Sequence, residues 1–245
     1  MHHYGIIGYP LEHSLSAKLF NEKFAAEGIE AEYDLYSVPD GKWSSVIGDL
    51  LDTLDGFNVT YPYKQTIIPY LNELDESANA IGAVNVVYQH KGYNTDGIGF
   101  LASIRPLLRP ADRQALVLGT GGASKAVCYA LHQLGITPTI VSRTPQHGAI
   151  TYEDLSAEVM QQHTLIINCT PLGMFPDMNS YPPIPYECIS AQHLLYDCVY
   201  NPEETLFLRK GNCPVAFCIN QAVPGAMSVL CRKGCLRRHR QSDRK

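Results

Sequence analysis

No apolar run in this 245-residue chain approaches the ~20 residues that a membrane-spanning helix needs. The first residues, Met1-His2-His3-Tyr4-Gly5, have neither a basic n-region nor an apolar h-region. A secretory signal is therefore not expected, and the cytoplasm is the expected location. An excess of positive charge is also missing: the formal net charge is −5, which argues against nucleic acid as the main partner. There is no internal repeat and no low-complexity tract. His2, His3 and His13 do not form a helical ligand pair, so no metal is expected there. Hydrophobic residues at 45% and charged residues at 18% are ordinary globular values and exclude disorder and coiled coil. At roughly 150 residues per domain, the length suggests one large domain or two small ones.

The average charge hides an asymmetry. Residues 211–245 carry seven Lys/Arg and one acid, Asp243, a charge of +6 against −11 for the first 210 residues. The same tail holds four of the eight cysteines, Cys213, Cys218, Cys231 and Cys235. Without a secretory signal, the cysteines read as reduced thiols rather than a disulfide framework.

Periodicity organises the rest. In the first half, Tyr4–Gly8, 31–38 and 56–60 read as strands. Stretches 15–27 and 42–54 read as helices, with Gly28 stopping the first. Ile67–Leu74 reads as a further helix. Val84–Tyr88 and Tyr93-Asn94 form a hairpin around the turn Gln89–Gly92. The alternation implies a parallel or mixed sheet with helices on its faces. In the second half, the apolar strand Ala115–Leu118 runs into Gly119-Thr120-Gly121-Gly122-Ala123-Ser124, which opens a helix to about Leu134. Strands at 139–141, 165–167 and 194–196 follow. This βαβ series predicts an α/β fold with a Rossmann-type domain after a boundary near residue 101.

A glycine turn in that context suits a dinucleotide pyrophosphate. Gly119 and Gly121 permit positive φ and close backbone approach, and the helix N-terminus beyond them offers free N–H groups. The third glycine position is Ser124, a departure from the general fingerprint. An NAD site places Asp or Glu at the end of the next strand. Here Ser142-Arg143-Thr144 stands there; a guanidinium and two hydroxyls suit a 2′-phosphate, so NADP is preferred over NAD. The plain alternatives are an ordinary strand–helix turn and a solvent-exposed arginine.

In the first half, Ser14 and Ser16 stand at a helix start, where they either cap the helix or bind a substrate carboxylate. Gly8-Tyr9-Pro10-Leu11-Glu12-His13-Ser14-Leu15-Ser16 is followed in order by Asn58-Val59-Thr60-Tyr61-Pro62-Tyr63-Lys64, Gly82-Ala83-Val84-Asn85 and Asn94-Thr95-Asp96-Gly97. Further on come Leu118–Ala123, Ser142-Arg143-Thr144, Asn168-Cys169-Thr170-Pro171-Leu172-Gly173-Met174 and Asp197-Cys198-Val199-Tyr200-Asn201-Pro202. Together these motifs resemble the shikimate dehydrogenase family, over residues 5 to about 208.

The resemblance implies a substrate-binding and catalytic domain at 1–101, an NADP-binding Rossmann domain at 102–210 and an active site in the cleft between them. It implies reversible NADPH-dependent reduction of 3-dehydroshikimate to shikimate, in aromatic amino-acid biosynthesis. It implies a small-molecule substrate, with no nucleic acid or membrane partner, acting as monomer or homodimer. Residue by residue, Lys64 and Asp96 are the implied catalytic pair. Ser14 and Ser16 would hold the carboxylate, Thr60 and Asn85 would bind ring hydroxyls or position the pair, and Tyr200 would reach the carboxylate end. Gly119, Thr120, Gly121, Gly122 and Ala123 would take the pyrophosphate, and Ser142, Arg143 and Thr144 the 2′-phosphate. Glu76 and Cys198–Val199 lie where the family also touches the cofactor, more weakly. The departures are mild: Ala17 for the family's Pro, Ser142 for its Asn, Val86 for its Thr.

The pattern fails after about Arg209. The family ends on a segment like G-L-x-M-L-x-x-Q-A, whose Gln contacts the substrate. Gln221-Ala222 is the only fragment reminiscent of it here, with Pro214 where the Gly belongs, and Pro224 and Gly225 interrupt any helix. Gln221 is the candidate substrate ligand on that basis. The basic, Cys-rich tail at 211–245 reads as a frame change near codon 210, which accounts at once for lost acids, added Cys and Arg, and lost family pattern. A zinc site and a basic surface-contact segment are the other readings. Besides an active enzyme, the sequence leaves open an inactive or weak NADP-binding member with an altered C-terminus, a quinate/shikimate dehydrogenase, and a different Rossmann oxidoreductase.

Overall fold

The structure, a computed structural model, describes residues 1–12 and 14–211, and the backbone of 216–218. Its contacts divide it into two compact units, one from Met1 to Thr95 and the other from Asp96 on.

The first unit is built on β1 (His2–Gly8), α1 (Ser16–Glu27), β2 (Ala31–Ser37), α2 (Trp43–Thr53), β3 (Gly56–Val59), β4 (Glu73–Leu74), α3 (Glu76–Ile81), β5 (Val86–Tyr88) and β6 (Lys91–Tyr93). Its mixed sheet has the order β2-β1-β3-β5-β6-β4. β1 is parallel to both β2 and β3, while β5 is antiparallel to β3 and to β6. Neighbours on both sides explain the unbroken burial from Tyr4 to Gly8. Because successive strand residues face opposite ways, Ile7 joins Trp43 and Ile47 of α2 on one face. Ile6 and Tyr4 join Phe20 and Phe24 of α1 on the other. Each of these buried large side chains contributes about 1.5–3 kcal/mol of transfer free energy.

The 67–74 stretch is not a helix. It forms a short 3-10 turn, Ile68–Tyr70, with Pro69 inside it, and then the strand β4. Proline removes an N–H that a longer helix would need, and β4 gains backbone partners by pairing parallel with β6. α3 has an N-terminal signal that periodicity overlooks: Asp75 caps it by accepting from Ala78 N–H at 2.9 Å.

The second unit comprises α4 (Asp96–Ile104), β7 (Gln114–Leu118), α5 (Gly122–Gln133), β8 (Thr137–Ser142), β9 (Ala149–Thr151), α6 (Ala157–Gln162), β10 (Leu165–Asn168), β11 (Leu194–Asp197), α7 (Leu206–Gly211) and β12 (Ala216–Cys218). Every ladder is parallel, and the order is β12-β11-β10-β7-β8-β9. Numbered from β7, that is 3-2-1-4-5-6 read from the β9 edge, the doubly wound dinucleotide-binding order. Ala115 and Val117 face Phe100 and Ile104 of α4 and Val127, Ala130 and Leu131 of α5. Leu116 and Leu118 face Met160 of α6 and Phe207 and Leu208 of α7. Because Phe100 and Ile104 belong to this core, the division falls before α4, ahead of the position near residue 101 read from the sequence.

Candidate active site

In the first unit, β1 and β3 are parallel neighbours and end at the same edge of the sheet. Their following loops are tied together there. Thr60 N–H donates to Ile7 C=O and Tyr9 N–H to Tyr61 C=O, both at 2.9 Å. A Cβ on Gly8 would lie 2.3 Å from Thr60 Cγ2 and 2.9 Å from the Tyr61 carbonyl. Only glycine permits that approach, and it sets the serine-bearing loop beside the loop that carries Thr60 and Lys64.

Ser14 and Ser16 are half-buried. Ser14 Oγ accepts from Ser16 N–H at 3.3 Å, at the first residue of α1. One hydroxyl therefore does serve the helix end. Tyr33 is buried at 1% exposure and donates to Asn58 Oδ1 at 2.7 Å. Burial drives its phenol far above the ordinary range, with Ser16 pulling it down weakly, so it stays neutral.

Lys64 follows a well-anchored turn. Tyr63 stacks on Trp43 with centroids 4.2 Å apart and donates to Val38 C=O at 2.7 Å. Lys64 C=O accepts from Val84 N–H at 2.7 Å. The next residue along, Asn85, is 7% exposed. Its Oδ1 accepts from Thr95 N–H at 2.9 Å and its Nδ2 donates to Thr95 Oγ1 at 3.0 Å. Asn94 is held by donating to Ala83 C=O at 2.9 Å. The backbone is thereby fixed up to the residue before Asp96, which is half-buried and opens α4.

In the second unit, the turn after β7 joins a positive-φ glycine to an uncapped helix start. Gly119 has φ +108°, and a Cβ there would lie 3.1 Å from Thr170 Cγ2. Gly121 departs from expectation: its φ is −78° with extended ψ. It serves by lacking bulk, since a Cβ on it would meet no atom within 4 Å. It precedes α5, whose first turn has no side-chain cap, so the N–H groups over Gly122 and Ala123 stay open to an anion. Thr120 is exposed. Ser124, at the third glycine position, is 1% exposed against the sheet. At the end of β8, Ser142 is buried and accepts from Thr144 N–H at 3.3 Å, leaving Arg143 and Thr144 exposed.

Sequence reasoning missed a buried polar cluster at the ends of β10 and β11. Asn168 and Asp197 are register partners and both are 0% exposed. Asp197 accepts from Asn168 Nδ2 at 3.0 Å, Val199 N–H at 2.9 Å and Thr205 Oγ1 at 2.6 Å. Asn168 in turn accepts from Thr170 N–H at 3.0 Å, and Thr170 is the residue against Gly119. The available signal was a polar residue ending each of two fully apolar strands. Tyr200 follows this cluster at 39% exposure. Gln221, Cys213, Cys231 and Cys235 of the zinc reading and the basic residues past 231 lie outside the described residues, and of Cys218 only the backbone is described.

Burial pushes the Asp197 carboxyl up to about 6, against the pull of its three donors. A carboxyl raised above its unfolded value binds a proton more readily in the native state. Its contribution to stability therefore grows as pH falls through the folded value and saturates below the unfolded one. Between pH 7.5 and 4.5 the gain is about 2 kcal/mol. Asp197→Asn should lose that gain, read as a smaller relative rise in chemical-denaturation stability on acidification. Equal pH dependence in both proteins would place the titration elsewhere.

A parallel sheet in dinucleotide order with a glycine turn, joined to a second α/β unit bearing clustered Ser, Thr, Lys and Asn, defines a two-unit dinucleotide-dependent oxidoreductase. Residues 6–87 match the family model for the shikimate dehydrogenase substrate binding domain. The chain is 36% identical over 228 residues to the shikimate dehydrogenase (NADP(+)) of Methanosphaera stadtmanae, covering 84% of this chain and 81% of that protein. It belongs to the shikimate dehydrogenase family. Among solved structures, shikimate dehydrogenase from Thermotoga maritima aligns with a TM-score of 0.82 at 29% identity, covering 95% of this chain and 93% of that one. Shikimate 5-dehydrogenase from Thermus thermophilus, in complex with NADP(H) and shikimate, aligns with a TM-score of 0.75 at 29% identity, covering 89% and 86%.

Proposed function

We infer that this chain catalyses the reversible NADPH-dependent reduction of 3-dehydroshikimate to shikimate. Similarity over 84% of its length to proteins that carry this activity in their name carries the reading. The edge shared by β1 and β3 supports it, because Ser14, Ser16, Thr60 and Lys64 stand on loops that Gly8 holds together.

Ser14 and Ser16 bind the substrate carboxylate. Lys64 stabilises the charge that grows on the ketone oxygen and gives it a proton, with Asp96 orienting the ammonium. Thr60 contacts a ring hydroxyl. Asn85 has both polar side-chain atoms engaged by Thr95, so its role is to position the segment entering Asp96. Tyr200 and Gln221 complete the carboxylate end. The Gly119–Ala123 turn holds the NADPH pyrophosphate and Ser142–Thr144 its 2′-phosphate; when bound, NADPH supplies the hydride. The domains serve these roles as substrate-binding and NADP-binding parts. Among the described residues, no helix is long and apolar enough to cross a membrane. The enzyme acts in the cytoplasm on a small molecule, as monomer or homodimer, without nucleic acid.

The test is to follow NADPH formation by the purified 245-residue chain with shikimate and with quinate, using NADP+ and NAD+. Turnover with shikimate and NADP+ is expected to exceed the other combinations. Turnover only with quinate or NAD+ would overturn the assignment. Loss of all turnover, restored by a family-like C-terminal segment, would favour the inactive, altered member.

A further inference from the structure

Two thiols in the second unit lie outside the proposed chemistry. β10 and β11 are parallel partners, with Leu165 opposite Leu194 and Ile167 opposite Tyr196. All four side chains belong to one core, the one that α4 and α5 cover. Side chains alternate along a strand, so the next pair on that face is Cys169 and Cys198. Cys198 N–H extends the ladder by donating to Asn168 C=O at 2.9 Å. The two sulfurs accordingly lie 3.8 Å apart, although 29 positions separate the residues in the chain. Both residues are half-buried.

The pair stands against the turn proposed for the pyrophosphate. A Cβ on Gly119 would lie 3.3 Å from both the carbonyl carbon and the carbonyl oxygen of Cys169. Cys169 N–H donates to Leu118 C=O at 2.9 Å, which ties it to the strand leading into that turn. Thr170 sets its methyl against Gly119. Its N–H and hydroxyl both donate to Asn168 Oδ1, at 3.0 and 2.6 Å. The sulfurs of a disulfide are ~2.05 Å apart, so joining the pair must move the ends of β10 and β11. Close packing passes such a movement to its neighbours, and the nearest backbone is that of Gly119.

We propose that Cys169 and Cys198 are a thiol-oxidation site: peroxide joins them in a disulfide, and the closed pair weakens NADP(H) binding at the glycine turn. The effect on binding rests on the reading of Gly119–Ala123 as the pyrophosphate site. Hydrogen bonding to Cys198 and burial hold the Cys169 thiol well above the ordinary thiol range, so Cys169 keeps its proton and Cys198 meets the peroxide. The Cys198 sulfur, as thiolate, takes one oxygen. The O–O bond breaks, the sulfur becomes a sulfenic acid, and a water leaves. The Cys169 sulfur then attacks the Cys198 sulfur. The S–O bond breaks, and the displaced hydroxyl leaves with the Cys169 proton as a second water. Two thiols lose two electrons and two protons, and one peroxide takes them.

The experiment incubates the purified chain with hydrogen peroxide, maps its cysteines by peptide mass spectrometry and titrates NADP+ by calorimetry. A bond between residues 169 and 198 is expected, with the NADP+ Kd raised about 5-fold or more. Dithiothreitol should reverse both changes. Cys169→Ala should give the same Kd before and after peroxide. If peroxide weakens that variant as much as wild type, the effect belongs to another oxidised group and the proposal is overturned. It is overturned equally by the absence of the bond, by a bond to Cys128 or Cys188 in its place, or by a bond that leaves Kd unchanged. A reduced wild-type chain that binds no NADP+ overturns the cofactor reading and this inference together. A chain that binds NADP+ equally well before and after peroxide overturns this inference alone.

Discussion

Lys64→Ala is expected to lower kcat for shikimate oxidation by about 10²- to 10⁴-fold, the scale of one positioned acid or base. The effect on KM should be smaller, because the proposed ligands of the carboxylate are other residues, Ser14 and Ser16. The proposed chemical role is separable from a structural one. The turn is carried by its neighbours: Tyr63 is locked between Trp43 and the Val38 carbonyl, and Ile67 is fully buried. The backbone of Lys64 itself is held through its carbonyl by Val84, a bond that alanine keeps. The melting temperature should therefore stay close to wild type while turnover falls. In the reduction direction, the substrate oxygen gains negative charge as its carbon is reduced. An ammonium group answers that charge and supplies a proton in the same place; a neutral methyl does neither. Stopped-flow and steady-state measurements on the variant give the answer, and a near-normal kcat would remove Lys64 from the mechanism.

The parts of this molecule that could be read from the sequence are those in which one local rule governs. Ala115–Leu118 followed by Gly119-x-Gly121 is a strand that must turn sharply into a helix, and the structure has that strand, turn and helix. The apolar spacing of Ile67–Leu74 fits a helix, while Pro69 and a partner strand further along the chain, β6, decide otherwise. Sequence texture alone puts a boundary near residue 101. Phe100 and Ile104 place it earlier, by joining a core with Val117 and Leu131 that only the fold assembles. The same distinction runs through the site. Ser14, Ser16 and Lys64 stand in recognisable motifs, so the sequence names them. Tyr33 lies in an ordinary alternating strand, and its hydrogen bond to Asn58 exists only because β2, β1 and β3 lie side by side. Asn168 and Asp197 meet because they share a register across two parallel strands separated by a long excursion. Contacts of that kind have no signature in spacing.

Arg143→Ala is expected to weaken NADPH binding by about 10- to 100-fold, the worth of a charge-assisted hydrogen bond at roughly 1.5–3 kcal/mol, and to leave NADH binding nearly unchanged. The argument rests on where β8 ends. Ser142 is buried there, and its hydroxyl accepts from Thr144 N–H. That bond folds the chain into a tight corner with the Arg143 and Thr144 side chains outward. In this strand order, the end of the second strand is where a dinucleotide's adenosine ribose is read. An acid at the corner would accept from a ribose 2′-OH and repel a phosphate; a guanidinium does the reverse. Burial pushes the Tyr152 phenol up to about 12, with the charge of Arg143 pulling the other way, so Tyr152 stays neutral and leaves the positive charge of the corner intact. Arg143→Lys should recover only part of the affinity, because an ammonium replaces a planar fork with a point charge. Fluorescence titration with both nucleotides reads the difference directly. If the NADPH and NADH constants moved by the same factor, the corner would be holding a part of the cofactor common to both, and the assignment of Arg143 to the 2′-phosphate would be wrong.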